Sequence, residues 1–305
     1  MSICPNAPIL VTGAAGGKQG STGRAVTKLL LGAGAKVRAF VRREDSRSEA
    51  LRSLGAELFV GDLLNPEDVF RSFEGCKRAF FAFPVTSGLL HTTTLFAEAG
   101  RRAEAELVVD LCHLNNGFDA PSPRTREHMM SELIFDWADV GAVHLRAAVF
   151  MENLRRGALE HVMATGVFAL PLGPEEMPIP VIAGVDVAKV AAKLLIDRSL
   201  APARSFPIMT AVATPKTIAA SWSAALGREI PYRPMDPEAW KSEALAREGD
   251  AFEVEHLSKL WWTLAHPDPD TSLDLRKASS HAVEIIGEEP MTMERVFIGD
   301  TTMAF

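Results

Sequence analysis

The sequence predicts an α/β protein: a doubly wound parallel sheet in the N-terminal half, then a smaller, mostly helical C-terminal region. Three observations predict it. Short β-rich runs alternate with helical patterns through residues 1–150, a glycine-rich loop separates the first run from the first helix, and this regularity weakens after Phe150. Strands separated by whole helices need crossover connections, which return the chain parallel to the preceding strand.

The elements follow in order. Residues 8–12 (PILVT) form an apolar run that stops at glycines, and 22–31 read as a helix with Val26, Leu29 and Leu30 on one face. Residues 36–41 (KVRAFV) alternate as a strand does, 46–54 are helical, and 57–60 form a third strand ending at Gly61-Asp62. Pro66 suits the first turn of a helix over 66–73. Residues 78–83 (RAFFAF) and 106–111 (ELVVDL) are the fourth and fifth strands, joined by a long helix reaching about residue 105. Ser122-Pro123 reads as an N-cap with proline behind it, opening a helix to about residue 140, and 143–146 is a sixth strand. Beyond the proline-rich 171–180 stretch, helices are expected at 185–197, 215–226, 237–247 and 252–265, with short strands near Phe206 and Ile230.

Composition excludes several classes. The 305 residues carry a net charge of -7, so no basic surplus exists to neutralise nucleic-acid phosphates, and no direct nucleic-acid partner is expected. Cys4, Cys76 and Cys112 form no CxxC pair and are odd in number, which fits reduced thiols in a cytoplasmic protein. No signal-like start is visible, and no apolar run approaches the roughly 20 residues that span a bilayer. The eight histidines show no HExxH spacing, so no metal site is expected. The expected partner is a small-molecule substrate, and a homodimer is one option for the assembly state.

The loop after the first strand, VTGAAGGKQGSTGRA, contains Gly13-x-x-Gly16 and Gly17-x-x-Gly20-x-x-Gly23. Glycine suits this place because a side chain would block backbone approach to a pyrophosphate, and the helix behind presents free N–H groups to the phosphates. Gly13, Gly16, Gly17, Lys18, Gln19 and Gly20 are therefore candidate dinucleotide contacts. After the second strand stand Arg42 and Arg43, where an NAD-specific protein commonly places an acid. Two guanidiniums suit the 2′-phosphate of NADP(H), or else are solvated surface charges. Asp62 either accepts from the adenine amino group or caps the helix before Pro66.

These segments together, with HLRAAVFMENL and PVIAGVDVAKVAAKLL, resemble the NmrA-like family of atypical short-chain dehydrogenase/reductases over most of the chain, to about residue 240. The resemblance implies a Rossmann-type domain over 1–150 that holds NADP(H). Residues 151–305 form a smaller substrate-binding region interleaved with the first, and a cleft lies between them. The loop departs from the family's GxxGxxG spacing, holding about three extra residues between Gly13 and Gly23.

The Tyr-x-x-x-Lys dyad of typical short-chain dehydrogenases is absent: the sole tyrosine, Tyr232, is followed four residues later by Asp236. The equivalent positions are Arg124 and His128, and His128 with Glu132 resembles the triphenylmethane reductase and quinone oxidoreductase subgroup. Their electrophilic acceptors need no strong proton donor. His128 is the candidate catalytic residue, orienting the nicotinamide ribose or supplying a proton; otherwise it is a half-exposed histidine paired with Glu132. Cys112 stands where relatives place Ser or Thr near the nicotinamide, or is a small buried residue. Phe83-Pro84 packs against the cofactor or simply ends the fourth strand. Asn153 lies by resemblance near the cleft, with helix capping as the alternative. Trp240, Trp261 and Trp262 line an aromatic pocket or belong to the core. The functional expectation is an NADPH-dependent oxidoreductase passing a hydride to a quinone-, dye- or enone-like acceptor; the alternative is a non-enzymatic NADP(H) sensor acting on a protein partner.

Overall fold

Each of the first five strands is followed by a helix that carries the chain back across a face of the sheet. The computed structural model describes residues 7–248, 250–266 and 275–299, with no side-chain description for 248 and 275–280; Cys4 lies outside the described residues. The order begins β1 (Ile9–Val11), α1 (Thr22–Gly32), β2 (Val37–Val41), α2 (Ser46–Ser53), β3 (Glu57–Val60) and α3 (Pro66–Ser72). It continues with β4 (Arg78–Phe81), α4 (Leu89–Arg102), β5 (Leu107–His113), α5 (Pro123–Ala138) and β6 (Val143–Ala147). The remainder comprises β7 (Val149–Phe150), α6 (Met151–Thr165), β8 (Phe168–Leu170), β9 (Ile179–Ile182), α7 (Gly184–Ile196), β10 (Ser205–Ile208), β11 (Ala211–Ala213), α8 (Pro215–Leu226), β12 (Tyr232–Pro234), α9 (Pro237–Glu248), α10 (Ala251–Ala265), α11 (Leu275–Ile286) and α12 (Met293–Phe297).

Seven strands form one sheet in the order β10-β6-β5-β4-β1-β2-β3. Its pairs are all parallel. Helices cover both faces, which is why β1 and β4 are buried along their whole length and, Arg78 apart, apolar instead of alternating. The chain grows outward from β1 in one direction through β2 and β3, then restarts on its other side with β4. This reversal opens a crevice at the carboxyl ends of β1 and β4, the usual ligand position in such sheets. Thr12 ties the crevice floor together: its Oγ1 donates to the Ala82 carbonyl at 2.9 Å and accepts from the Ala82 N–H at 2.8 Å.

Most predicted elements fall within a few residues of the observed ones. Ser122 caps α5 through the Thr125 N–H, with Pro123 behind it as expected. Strand β4 stops at Phe81, two residues short of the expected end, because Ala82 bonds to Thr12 instead. Residues 151–165, which the sequence leaves unassigned, form α6, with Met151, Leu154, Ala158 and Val162 buried at helical spacing. Strands β7, β9 and β11 make a small second sheet, and β8 pairs with β12. Beneath them, a core of Phe168, Trp222, Tyr232, Trp240 and Trp261 fills the C-terminal layer. Trp240 and Trp261 thus take the core alternative, while Trp262 is exposed. The second half also returns to the first: β10 adds the seventh strand beside β6, and Val187, Val190 and Leu194 of α7 join the main core.

Candidate functional site

The glycine loop spans the crevice between β1 and α1. Gly13 (φ 64°) and Gly16 (φ 67°) lie in the left-handed region that favours glycine. Gly23 is required by contact: a Cβ there would meet the Thr12 carbonyl oxygen and lie 2.7 Å from the Gly13 carbonyl carbon. These three glycines shape the strand–turn–helix joint. The extra residues form a separate tight turn, closed by Gly17 N–H to Gly20 O at 2.8 Å and Gly20 N–H to Gly17 O at 3.2 Å. The triplet 17-20-23 is therefore not one cradle. Gly17 and Gly20 are the two feet of a finger with Lys18 and Gln19 at its tip. Behind the loop, α1 starts without a side-chain cap and without an acid in its first turn, so its N–H groups face the crevice end unmatched by local carboxylates.

Arginines gather beside the loop. Arg42 and Arg43 follow β2 and are exposed, Arg43 lying 3.6 Å from Asp45. Arg47 was not singled out from the sequence, yet it makes the closest link: its Nη1 donates to the Gly16 carbonyl at 2.8 Å, and its Nη2 to Asp45 at 2.6 Å. Hydrogen bonds from Arg47 hold the Asp45 carboxyl well below the usual carboxylate range. Arg24 of α1 bonds the Arg47 carbonyl and leaves its buried Nε without a partner. Asp62 is exposed and accepts from the Leu64 N–H at 3.0 Å; the cap of α3 is Asn65, not Asp62.

Residues 83–85 connect the loop to a second group of side chains. Gln19 makes a two-point bond to Val85: its Nε2 donates to the Val85 carbonyl at 3.1 Å, and its Oε1 accepts from the Val85 N–H at 2.7 Å. Two residues earlier the Phe83 carbonyl accepts from Arg124 Nη2 at 2.8 Å, and the Phe83 ring lies 5.7 Å from that guanidinium. Pro84 between them is exposed.

Arg124 stands in the first turn of α5, 1% exposed. Its Nε and Nη1 have no hydrogen-bond partner, and Glu127 lies 3.8 Å from Nη1, beyond hydrogen-bond reach. Around it cluster three imidazoles. The His113 ring, at the end of β5, lies 5.0 Å from both His128 and His256. His256 Nδ1 bonds Ser122 Oγ at 2.8 Å, whereas His128 Nδ1 is unpartnered. Burial, reinforced by the Arg124 charge, lowers all three: His113 to about 4, and His128 and His256 well below the usual histidine value. Burial likewise pushes Arg124 down to about 10. At neutral pH the cluster is three neutral rings around one cation.

The expected His128–Glu132 pair does not form. Glu132 turns to Arg146, accepting from Nη2 at 2.6 Å, and to Asn116 Nδ2. His128 itself is 7% exposed, not half-exposed, because α5 lays that face on β5 and α10. Cys112 is buried, its Sγ directed at the His128 carbonyl, and burial raises its thiol well above the ordinary value. Asn153, in the first turn of α6, lines a cavity of about 280 Å³ together with Lys18, Gln19, Arg155, Arg156 and Met291. Beside it the half-buried Glu152 carboxyl accepts from the Gly184 N–H at 2.9 Å, docking α6 onto the start of α7. Among the described residues no group of three or more His, Cys, Asp or Glu is arranged to hold a metal ion. No described helix is long and apolar enough to cross a membrane.

A glycine-lined turn at the sheet's reversal point, an uncapped helix start and flanking guanidiniums together define a Rossmann-type dinucleotide-binding protein. The comparisons specify the family. The sequence family described as NAD(P)H-binding matches residues 17–198, and the chain belongs to it. No curated protein matches it in sequence. Solved structures share the fold over nearly the whole chain. The Citrobacter sp. triphenylmethane reductase complexed with NADP(H) aligns at TM-score 0.76 and 16% identity, covering 97% of this chain and 100% of that one. The Escherichia coli NADPH-dependent quinone oxidoreductase QOR2, complexed with NADPH, aligns at 0.74 and 17%, covering 95% and 98%. NmrA, a negative transcriptional regulator, aligns at 0.76 and 16%, covering 98% and 97%.

Proposed function

We propose that the protein is an NADPH-dependent oxidoreductase acting on a small conjugated electrophile. The observation that carries this reading is the continuity of the site. Gln19 joins the glycine loop to Val85, and Phe83 joins the same segment to a buried cation and three neutral imidazoles at the ends of β4 and β5. The residues fit a dinucleotide. Gly13, Gly16 and the start of α1 would hold the pyrophosphate, and Arg42, Arg43 and Arg47 the 2′-phosphate. Lys18, Gln19, Asp62, Phe83, Pro84, Cys112 and Asn153 are the further candidate contacts along its length. Bound there, the nicotinamide supplies a hydride.

The protein's own task is to orient and to exclude water. His128, kept neutral by burial, can donate or accept one hydrogen bond through Nδ1 but delivers no proton as imidazolium at neutral pH. This suits an acceptor that is electrophilic without prior protonation. One observation favours the sensor reading instead: Tyr232, the chain's one phenol, is bonded to the Leu170 and Gly173 carbonyls in the C-terminal layer, far in structure from any donor role at β5. The deciding experiment mixes purified protein with NADPH and a panel of quinones, enones and dyes, following absorbance at the nicotinamide band. Oxidation above background supports the enzyme; tight NADPH binding with no oxidation of any kind sinks it in favour of the sensor.

A further inference from the structure

Arg124 is a buried cation whose donors the fold meets only in part. A guanidinium carries five N–H donors, and burying one without partners is among the least favourable things a fold can do. Here one Nη2 donor meets the Phe83 carbonyl, while Nε and the whole of Nη1 meet nothing. Glu127 compensates part of the charge from 3.8 Å, and its own Oε2 is equally unpartnered. No neighbouring acceptor is placed to meet them: His256 Nδ1 is taken by Ser122, and Cys112 Sγ lies against the His128 carbonyl and Asn116. The unmet donors lie at the ends of β4 and β5, beside the segment that Gln19 ties to the glycine loop.

Resting on the oxidoreductase reading, we infer that Arg124 binds the oxygen of a carbonyl acceptor and stabilises the oxyanion formed when hydride arrives, so that the substrates are quinones or enones and not cationic dyes. In that step the acceptor gains a hydride from the reduced nicotinamide, its π pair shifts onto the carbonyl oxygen, and the resulting phenolate or enolate later takes its proton from water. Nε–H and Nη1–H point to opposite sides of the guanidinium, so one of them gives the oxygen a preorganised donor in a dry site, where such bonds count most. No proton donor is then needed, which fits an arginine standing where a typical short-chain dehydrogenase carries its phenol. A cationic dye gains nothing from the same group and meets its repulsion.

The test uses para-nitrophenol as a product-like probe, titrated by its visible absorbance in the presence of oxidised NADP. Wild-type protein should bind it saturably and lower its pKa by about one unit or more, through the adjacent positive charge. Arg124→Gln should abolish that shift, and Arg124→Lys should retain part of it. Arg124→Gln deletes a buried cation with unmade bonds but also the bond to Phe83 and the charge beside Glu127, and these effects offset, so its thermal midpoint should hold. In turnover, quinone reduction should fall about a hundredfold in Arg124→Gln, the scale of one lost oxyanion donor, and wild type should prefer quinones to triphenylmethane cations. A structural role would lower the midpoint of Arg124→Gln by several degrees and leave the ionisation of bound nitrophenol unchanged. That pair of results, an absence of saturable binding, or a preference for cationic dyes overturns the inference. If no acceptor of any class is reduced, the oxidoreductase reading fails by itself, while the nitrophenol titration still reports on Arg124.

Discussion

Acidification should unfold this protein through its buried imidazoles, and the size of the effect can be worked out for one ring. His113 titrates at 6.5 when unhindered and at about 4 in the fold, because it is packed among protein groups next to Arg124. A base whose value is depressed by folding stabilises fully above the unfolded value, and that stability is lost as pH falls toward the folded one. At pH 5 the unfolded ring is almost wholly protonated and the folded ring almost wholly neutral. Linkage therefore removes about 2 kcal/mol between pH 7 and pH 5. His128 and His256 also lie well below the ordinary value, so each acts in the same direction as pH falls. The loss from His113 alone is already a large share of the stability of many domains, about 5–15 kcal/mol. His144 works in the opposite sense. Burial lowers it, but bonds to Asp110 and Asp136 outweigh that and raise it, so it favours the fold as pH falls. A single-site comparison removes this background. Urea unfolding followed by tryptophan fluorescence at pH 7, 6 and 5 should show the wild type losing stability more steeply than His113→Asn, by about one proton or ~1.4 kcal/mol per pH unit below pH 6. Equal slopes for the two proteins would refute the argument.

Three further outcomes follow from the geometry. Gly23→Ala places a methyl 2.7 Å from the Gly13 carbonyl and should lower stability by about 1–3 kcal/mol while weakening NADPH binding, both readable in one thermal-shift series with and without cofactor. Arg47→Met should cost NADPH about tenfold in affinity, ~1.4 kcal/mol, and leave NADH unchanged by fluorescence titration; parallel losses for both cofactors would remove Arg47 from 2′-phosphate recognition. Trp261→Ala should destabilise by about 3–5 kcal/mol in chemical denaturation, since the ring is fully buried in the C-terminal core.

The candidate site was legible in proportion to how local its signals are. Gly13, Gly16 and the start of α1 are covalently continuous, and backbone requirements at a strand–turn–helix joint show directly as glycines. The Gly17–Gly20 finger was visible only as irregular spacing, because a two-residue turn and the helix-packing role of Gly23 use the same residue type. Arg47 escaped notice inside an ordinary amphipathic helix; its partner, the Gly16 carbonyl, is 31 residues away. His128 drew attention for its position, but its expected bond to Glu132 failed because Arg146 of β6 competes for that carboxylate from across the sheet.

What the sequence by itself determined is the parallel α/β frame: hydrophobic runs buried on both faces, helices between them, and a glycine turn where the first strand meets the first helix. These are consequences of short-range periodicity and backbone freedom. Helix α6 and strands β8 and β9 were less legible, since Gly157 and the prolines of 171–180 interrupt the patterns on which such assignment depends. Only tertiary structure decided that β10 completes the main sheet, that Trp240 and Trp261 are core, and that His113, His128 and His256, drawn from three separate elements, surround one guanidinium. The physical reason is that desolvation and unmet hydrogen bonds depend on what packs around a side chain from distant parts of the chain, and no local pattern encodes that.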